Sequence, residues 1–181
     1  MINIFQIYPI GETNPTPPPE KFRNTHHAKW RRTLKKHIQK IVIEAQRLCA
    51  TKTGEGKAPV NYACVFSQSE AEYQELVSLA CQLGKIVQDT AMGPVFHIAL
   101  LPTVAGKLEL LKIRRPDSRR KEMGDADFTV ANYENFKKKY LGKPGFSLIE
   151  RPKMEMIELI DQSFNAVVYF SYPTLANILK I

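Results

Sequence analysis

The sequence predicts an α+β protein in which two βαβββ modules form a mixed sheet, preceded by a basic amphipathic helix. Three observations support this prediction. Apolar residues recur at helical spacing within residues 21–57, short β-rich segments begin near residue 59, and the order strand, helix, strand, strand, strand then occurs twice. A chain of 181 residues with 44% hydrophobic content can bury the core that such a fold requires.

The first 20 residues predict an extended lead. Ile2–Ile10 has the composition of an edge strand, and the segment NPTPPPE at Asn14–Glu20 is a stiff spacer because proline fixes φ. No basic residue precedes the short apolar run at the start, which argues against a signal peptide. No apolar run approaches the roughly 20 residues that span a bilayer, so we expect no membrane segment.

Residues 21–57 predict a basic amphipathic helix that begins at Asn24 or Thr25 and ends near Thr53–Gly56. Its apolar stripe consists of Leu34, Ile38, Ile41, Ala45 and Leu48. The opposite side displays Lys29, Arg32, Lys36 and Lys40. This segment has 11 Lys and Arg against two Glu, a net charge of +9, so it accounts for the net charge of +8 of the whole chain.

The β-rich part of the chain is predicted to span residues 58–181. In its first module, 59–116, Ser69 and Glu72 form a capping box before a helix that runs through Leu83 and is closed by Gly84. The strand candidates are Pro59–Phe66, Lys85–Asp89, Val95–Leu101 and Leu108–Arg115.

The second module, 125–172, repeats that order after a polar linker, Pro116–Gly124. Asn132 caps the predicted helix and Gly142 ends it. The caps Ser69 and Asn132 lie 63 residues apart, a period that indicates two related units. The strand candidates are Asp125–Ala131, Phe146–Arg151, Glu155–Asp161 and Asn165–Tyr172, and a short helix at Pro173–Ile181 closes the chain.

The paired modules resemble the vicinal-oxygen-chelate superfamily, the glyoxalase-like proteins, and within it the YecM-like group. The stretches that carry the resemblance are VNYACVF, QSEAEYQELVSLACQLGKIVQD, AMGPVFHIALLP, LELLKIRRPDSRRKEMGDADFTV and NAVVYFSYPTLANIL. The resemblance implies a curved sheet with a divalent metal in its concave face. It also implies that an enzyme of this kind would be a metal-assisted lyase, isomerase or oxygenase.

The metal positions that the resemblance implies are Asn61 or Tyr62, Glu109, Asp127 and the neighbourhood of Val168–Phe170. Glu109 and Asp127 are suitable ligands because carboxylate oxygens bind hard divalent cations. Asn61 offers one neutral oxygen, whereas Tyr62 or Tyr169 would have to lose a proton. For Glu109, pairing with Arg, Lys or water is the alternative to a metal, and Asp127 can equally belong to a solvated edge.

Several further residues could belong to a ligand pocket. His97 is the best general-base candidate, although a hydrogen-bonded imidazole in the core or pocket wall is the alternative. Arg114 and Arg115 could attract an anionic substrate. Asn61, Tyr62 and Tyr169 could line the pocket, although the two tyrosines could instead pack as strand aromatics often do.

Two functions follow from these patterns. The first is a cytoplasmic protein, monomeric or homodimeric, that binds a small anion, with a divalent metal as the candidate cofactor; the widely spaced Cys49, Cys64 and Cys81 suggest reduced thiols. The second is a non-catalytic module that binds nucleic acid or an acidic partner through Lys29, Arg32, Lys36 and Lys40. A solvated helix surface is the alternative to that second function.

Overall fold

The computed structural model describes the backbone of residues 25–181 and the side chains from Arg32 onward. The predicted edge strand Ile2–Ile10 and the proline-rich segment Asn14–Glu20 lie outside the described residues. Within residues 25–181, none of the helices combines the length and the apolar character needed to cross a membrane.

The basic helix is present as α1, Thr25–Thr53. The predicted apolar stripe is confirmed, since all five of its residues are buried against the sheet: Leu34, Ile38, Ile41, Ala45 and Leu48. The helix ends where predicted, because Gly54 adopts a left-handed φ of 79° and its N–H donates to the carbonyl of Ala50 at 3.2 Å. Burial of this stripe makes α1 part of the main core.

The first module comprises β1 (Val60–Phe66), α2 (Glu70–Cys81), β2 (Gly84–Gln88), β3 (Val95–Thr103) and β4 (Gly106–Arg114). The predicted cap is confirmed: the Ser69 hydroxyl accepts from the backbone N–H of Glu72 at 3.2 Å. The Glu72 carboxylate in turn accepts from the backbone N–H of Gln68 at 2.6 Å, one residue earlier than in a standard capping box.

Gly84 was wrongly predicted to close α2. The helix ends at Cys81 with Gln82 as its cap, and Gly84 is the first residue of β2, paired with Ile98. A side chain at this position would collide with the backbone of His97. The glycine therefore permits close approach of two strands rather than terminating a helix.

The second module comprises β5 (Gly124–Phe128), α3 (Tyr133–Tyr140), β6 (Phe146–Arg151), β7 (Met154–Leu159) and β8 (Val167–Tyr172), followed by α4 (Leu175–Leu179). Asn132 caps α3 as predicted, because its side chain accepts from the backbone N–H of Asn135 at 2.9 Å. The closing helix is also present, although it is capped by Thr174 and is only five residues long.

The eight strands form one curved, open mixed sheet in the order β2-β3-β4-β1-β5-β8-β7-β6. β1 pairs in parallel with β4, β5 pairs in parallel with β8, and the modules meet through the antiparallel pair β1 and β5. The order within one module mirrors the order within the other, which confirms the predicted α+β, glyoxalase-like fold class. Ala63 pairs with Ala126, so the 63-residue period of the helix caps recurs at the centre of the sheet.

The two faces of the sheet differ in chemistry. Ala63 and Val65 of β1 face the apolar core that α1, α2 and α3 cover. Because side chains alternate along a strand, Tyr62 and Cys64 face the other way, toward the side on which α4 lies. We call this second side the polar face.

Candidate functional site

Strand pairing assembles polar side chains into adjacent rows across the polar face. One row contains Lys112, Cys64 and Asp125, since Cys64 pairs with both of the others. The next row contains Tyr62, Asp127, Tyr169 and Glu158 in consecutive pairs. Directly paired residues point to the same side of a sheet, so all seven share one surface.

A cavity of about 670 Å³ opens on this surface. The central strands contribute Tyr62, Lys112 and Asp127 to its wall. The remaining walls come from the β2–β3 loop and the β6–β7 turn, together with the strand residues next to them, and from α4. They contribute Gln88, Thr90, Ala91, Met92, Val95, Arg151, Pro152, Lys153, Met154, Met156, Leu175 and Ile178. Segments of both modules, which are far apart in sequence, thus meet at the cavity.

Lys112 is the partly buried cation of the cavity. Its Nζ donates a hydrogen bond to Thr90 Oγ1 at 3.0 Å. In the part of the chain that the structure describes, no carboxylate oxygen lies within 4.0 Å of this nitrogen. Burial lowers the pKa of Lys112; the positive charges of Arg114 and Arg151 act in the same direction, while Cys64 and Asp125 oppose it.

Asp127 is held in place by hydrogen bonds. Its carboxylate accepts from the hydroxyl of Ser171, from the backbone N–H of Ser171 at 3.1 Å and from the Asn61 side chain at 3.4 Å. Burial raises the pKa of Asp127 to about 6, and the bonds from Ser171 and Asn61 limit that rise. Asn61, predicted as a pocket residue, therefore orients Asp127 and also donates to Thr129 at 3.0 Å.

Asp125 is a buried carboxyl whose Oδ1 has no hydrogen-bond partner among the described residues. Burial, followed by the charge of Asp127, raises the pKa of Asp125 to about 8, against the opposing effects of Arg114, Lys112 and Arg120. At neutral pH this side chain carries its proton and adds little negative charge beside Lys112.

Tyr169 belongs to a different cluster on the polar face. Its hydroxyl donates to Glu158 at 2.7 Å, and Glu158 also accepts from Arg120 at 2.5 Å and from Ser147 at 3.2 Å. Burial raises the pKa of the Tyr169 hydroxyl well above its usual value, and the charges of Asp125 and Glu158 add to that effect. Tyr169 is therefore a neutral hydrogen-bond donor and does not line the cavity.

The predicted arginine pair does not converge on the cavity. Arg114 forms an ion pair with Asp117 at 2.8 Å and lies over the ring of Phe66 at 5.0 Å. Arg115 lies over the ring of Tyr73 at 4.6 Å and reaches Glu70 at 3.6 Å. Arg114 is the last residue of β4 and Arg115 follows it, and successive residues of an extended chain point to opposite sides, so the two guanidinium groups separate.

The structure does not bring Glu109 and Asp127 together. The pairing of β3 with β4 is irregular between His97 and Leu101, and Leu108 packs in the main core together with Leu111. Glu109 is exposed at this irregularity and does not line the cavity. Unbroken alternation would place Leu108 and Leu111 on opposite faces of β4, whereas both lie in the main core.

His97 is also exposed and does not line the cavity, so the expectation of an imidazole in the core or pocket wall was wrong. Within residues 25–181, no three His, Cys, Asp or Glu side chains gather in an arrangement that could hold a metal ion. Among the residues that the structure describes, Asp127 is the one carboxylate of the cavity wall, and a cation, Lys112, lies on the neighbouring row. This donor set does not fit a divalent metal, which requires several anionic or neutral ligands.

Sequence reasoning missed Lys112, Thr90 and Arg151. Lys112 had one usable signal, since strand alternation placed it opposite the apolar side of β4. Thr90 and Arg151 had none, because a loop and a turn bring them to the cavity from positions far from Lys112 in sequence.

The basic side of α1 is exposed at Arg32, Lys36 and Lys40, whereas the side chain of Lys29 lies outside the described residues. Arg32 and Lys36 line a second groove of about 550 Å³ together with Leu83 and Ile98. Binding of nucleic acid or an acidic partner by this helix stays a prediction.

No family model matches the chain, and no curated protein matches it in sequence. A solved structure described as a structural genomics protein, Protein EC4020, is similar with a TM-score of 0.62 at 10% identity, covering 82% of this chain and 91% of that one. A glyoxalase I mutant from Zea mays aligns with a TM-score of 0.35 at 16% identity, covering 64% of this chain and 43% of that one. The first likeness shows the fold alone; the narrower likeness to the YecM-like group stays a prediction.

Proposed function

We propose that the protein binds a small organic anion in the cavity of the polar face, with Lys112 as the principal contact. The observation that carries this proposal is a partly buried ammonium group that lines a cavity and has no carboxylate oxygen within 4.0 Å among the described residues. A cation that is removed from water regains favourable interactions when an anion reaches it.

The charges around the cavity support an anionic ligand. Arg151 at the end of β6 and Lys153 in the β6–β7 turn are exposed, and they add two positive charges to that of Lys112. The opposing carboxylate, Asp127, already accepts bonds from Ser171 and Asn61. The cavity therefore has an excess of positive charge, which attracts anions.

The apolar part of the wall supports an organic ligand rather than an inorganic ion. Met154, Met156, Leu175 and Ile178 lie along the side formed by the β6–β7 turn and α4. These side chains can cover a hydrocarbon body while Lys112 binds the charged group. The volume of about 670 Å³ lies within the range of about 300–1,000 Å³ that is usual for small-molecule sites.

The anion contact differs from the one that the sequence suggested. Arg114 and Arg115 are engaged with Asp117 and with Glu70 and Tyr73, so Lys112 and Arg151 take their place in the proposal. No proton transfer is assigned to His97, and no step is assigned to a metal. The three free thiols support a reducing compartment such as the cytoplasm.

The test is calorimetric titration with propanoate, a small carboxylate that has an apolar tail. We expect propanoate to bind the unmutated chain and to bind Lys112→Met about tenfold or more weakly, since a hydrogen bond to a charged group contributes about 1.5–3 kcal/mol. Lys107→Met is the matched control, because Lys107 is exposed on the same strand and outside the cavity.

Equal affinity of Lys112→Met and the unmutated chain would reject the proposal. An equal loss in Lys107→Met would also reject it, because that result would indicate general electrostatic attraction instead of a defined contact. Thermal unfolding of both variants checks that the comparison is made between folded chains.

A further inference from the structure

Lys112 has a second property beyond its charge, namely a nitrogen that can react. We propose that Lys112 forms a reversible protonated imine with the carbonyl carbon of a small carbonyl-bearing anion, such as a 2-oxo acid. This inference rests on the proposed anion site and names the class of ligand that the site would take.

The hydrogen bonds around Lys112 orient its nitrogen for reaction. Thr90 Oγ1 donates its own hydrogen to the carbonyl of Gly93 at 2.7 Å. Thr90 can therefore only accept from Lys112, which it does at 3.0 Å, and it cannot occupy the lone pair of a neutral amine. The lone pair of Lys112 stays available to a molecule in the cavity.

The loop that carries Thr90 is fixed to the strand that carries Lys112. The carbonyl of Met92 accepts from the backbone N–H of Arg115 at 2.9 Å, and the carbonyl of Pro94 accepts from the backbone N–H of Ile113 at 3.3 Å. Donor and acceptor are thus held by one rigid unit, so the amine is positioned before any ligand arrives.

The surroundings of Lys112 make the reactive, neutral amine more accessible than it is in an exposed lysine. Its burial in the cavity wall, followed by the charges of Arg114 and Arg151, lowers its pKa, although Cys64 and Asp125 oppose this change. A lysine in such surroundings is more nucleophilic at neutral pH than an exposed lysine. Arg151 also offers a guanidinium group to the carboxylate of a 2-oxo acid.

The step balances without any further reagent. The neutral amine of Lys112 attacks the carbonyl carbon, a C–N bond forms, and the electron pair of the C=O bond moves to oxygen. Proton transfer from nitrogen to oxygen through water gives a carbinolamine, whose hydroxyl is protonated and leaves as water as the C=N bond forms. Overall, one ammonium group and one carbonyl give one protonated imine and one water.

The experiment is reductive trapping of the full chain with pyruvate and cyanoborohydride, followed by peptide mapping by mass spectrometry. We expect a single adduct on Lys112, with a mass increment of one pyruvic acid less one oxygen atom. Lys112→Arg keeps the positive charge but should lose the adduct, because a guanidinium group is not a nucleophile at neutral pH. Lys107→Arg should keep it.

Mapping on the unmutated chain keeps the test independent of how the variants fold. Labelling of Lys107 or Lys153 at the same level as Lys112 would overturn the inference, and so would the absence of any adduct. If propanoate binds at Lys112 but pyruvate is not trapped, the imine inference fails and the anion site stands. If propanoate does not bind at all, the anion site itself fails.

Discussion

The two modules place different side chains at equivalent positions of the polar face. Ala63 pairs with Leu111 in one module, and its equivalent Ala126 pairs with Val168 in the other. The residues that follow, Lys112 and Tyr169, therefore occupy matching places on β4 and β8. One of them lines the cavity, whereas the other belongs to a cluster that is complete without a ligand.

The difference lies in how the polar groups are satisfied. Tyr169 donates to Glu158, and the linker between the modules supplies Arg120 to the same carboxylate. Lys112 has a neutral partner, Thr90, and no nearby carboxylate among the described residues. A polar group that is satisfied within the chain contributes to structure, while a charge without a counter-charge is available to a ligand.

Truncation of Arg120 should cause the largest loss of stability, because the buried carboxylate of Glu158 then has no cation beside it. We expect Arg120→Ala to lower the free energy of unfolding by about 3 kcal/mol, which denaturant titration measures. Lys121→Ala is the control at an exposed neighbouring position and should change stability by about 0.5 kcal/mol or less.

Truncation of the Lys112 side chain should change stability much less. Lys112→Met leaves no carboxylate unpaired, so its free energy of unfolding should stay within about 1 kcal/mol of that of the unmutated chain. Equal destabilisation by Arg120→Ala and Lys112→Met would remove the distinction between a structural cluster and a ligand site.

The buried carboxyl groups of the polar face should make the stability of the chain depend on pH. The folded chain holds the proton of Asp125 up to a pH of about 8, whereas the unfolded chain releases it near 3.8, so the unfolded state binds fewer protons in between. The free energy of unfolding should therefore fall as the pH rises from about 4 to about 8. Asp127 contributes in the same direction up to a pH of about 6.

Asp125→Asn should remove part of this slope. Relative to the unmutated chain, the variant should lose less free energy of unfolding as the pH rises from about 4 to about 8. Denaturant titrations at several pH values measure the difference, and Asp89→Asn at an exposed position controls for the loss of a carboxyl group. A slope unchanged by Asp125→Asn would contradict the description of Asp125 as a buried, protonated acid.

Much of the fold could be predicted because local chemistry determines it. The caps Ser69 and Asn132 announce their helices by residue type, and the apolar stripe of α1 follows the helical period. The interval between the two caps, together with the repeated order of elements, indicated the two modules. Gly84 was misassigned because a glycine that ends a helix and one that allows close strand packing look identical in sequence.

The candidate site was less accessible to sequence reasoning. The irregular pairing near Glu109 interrupts the regular alternation of side chains, so strand periodicity does not determine the side to which this carboxylate points. Lys112 meets Thr90 and Arg151 only after a loop and a turn fold over the sheet. Arg120 and Glu158, which form an ion pair, lie 38 residues apart in sequence. Such convergence depends on tertiary structure, which no local pattern encodes.

A backbone amide NMR titration of the full chain with propanoate tests most directly whether the cavity at Lys112, and not the cluster around Glu158, binds a ligand. We expect saturable shifts at Thr90, Val95, Lys112 and Arg151, with little change at Ser147 and Glu158. Shifts concentrated around Glu158, or on the basic side of α1 at Arg32 and Lys36, would contradict this expectation.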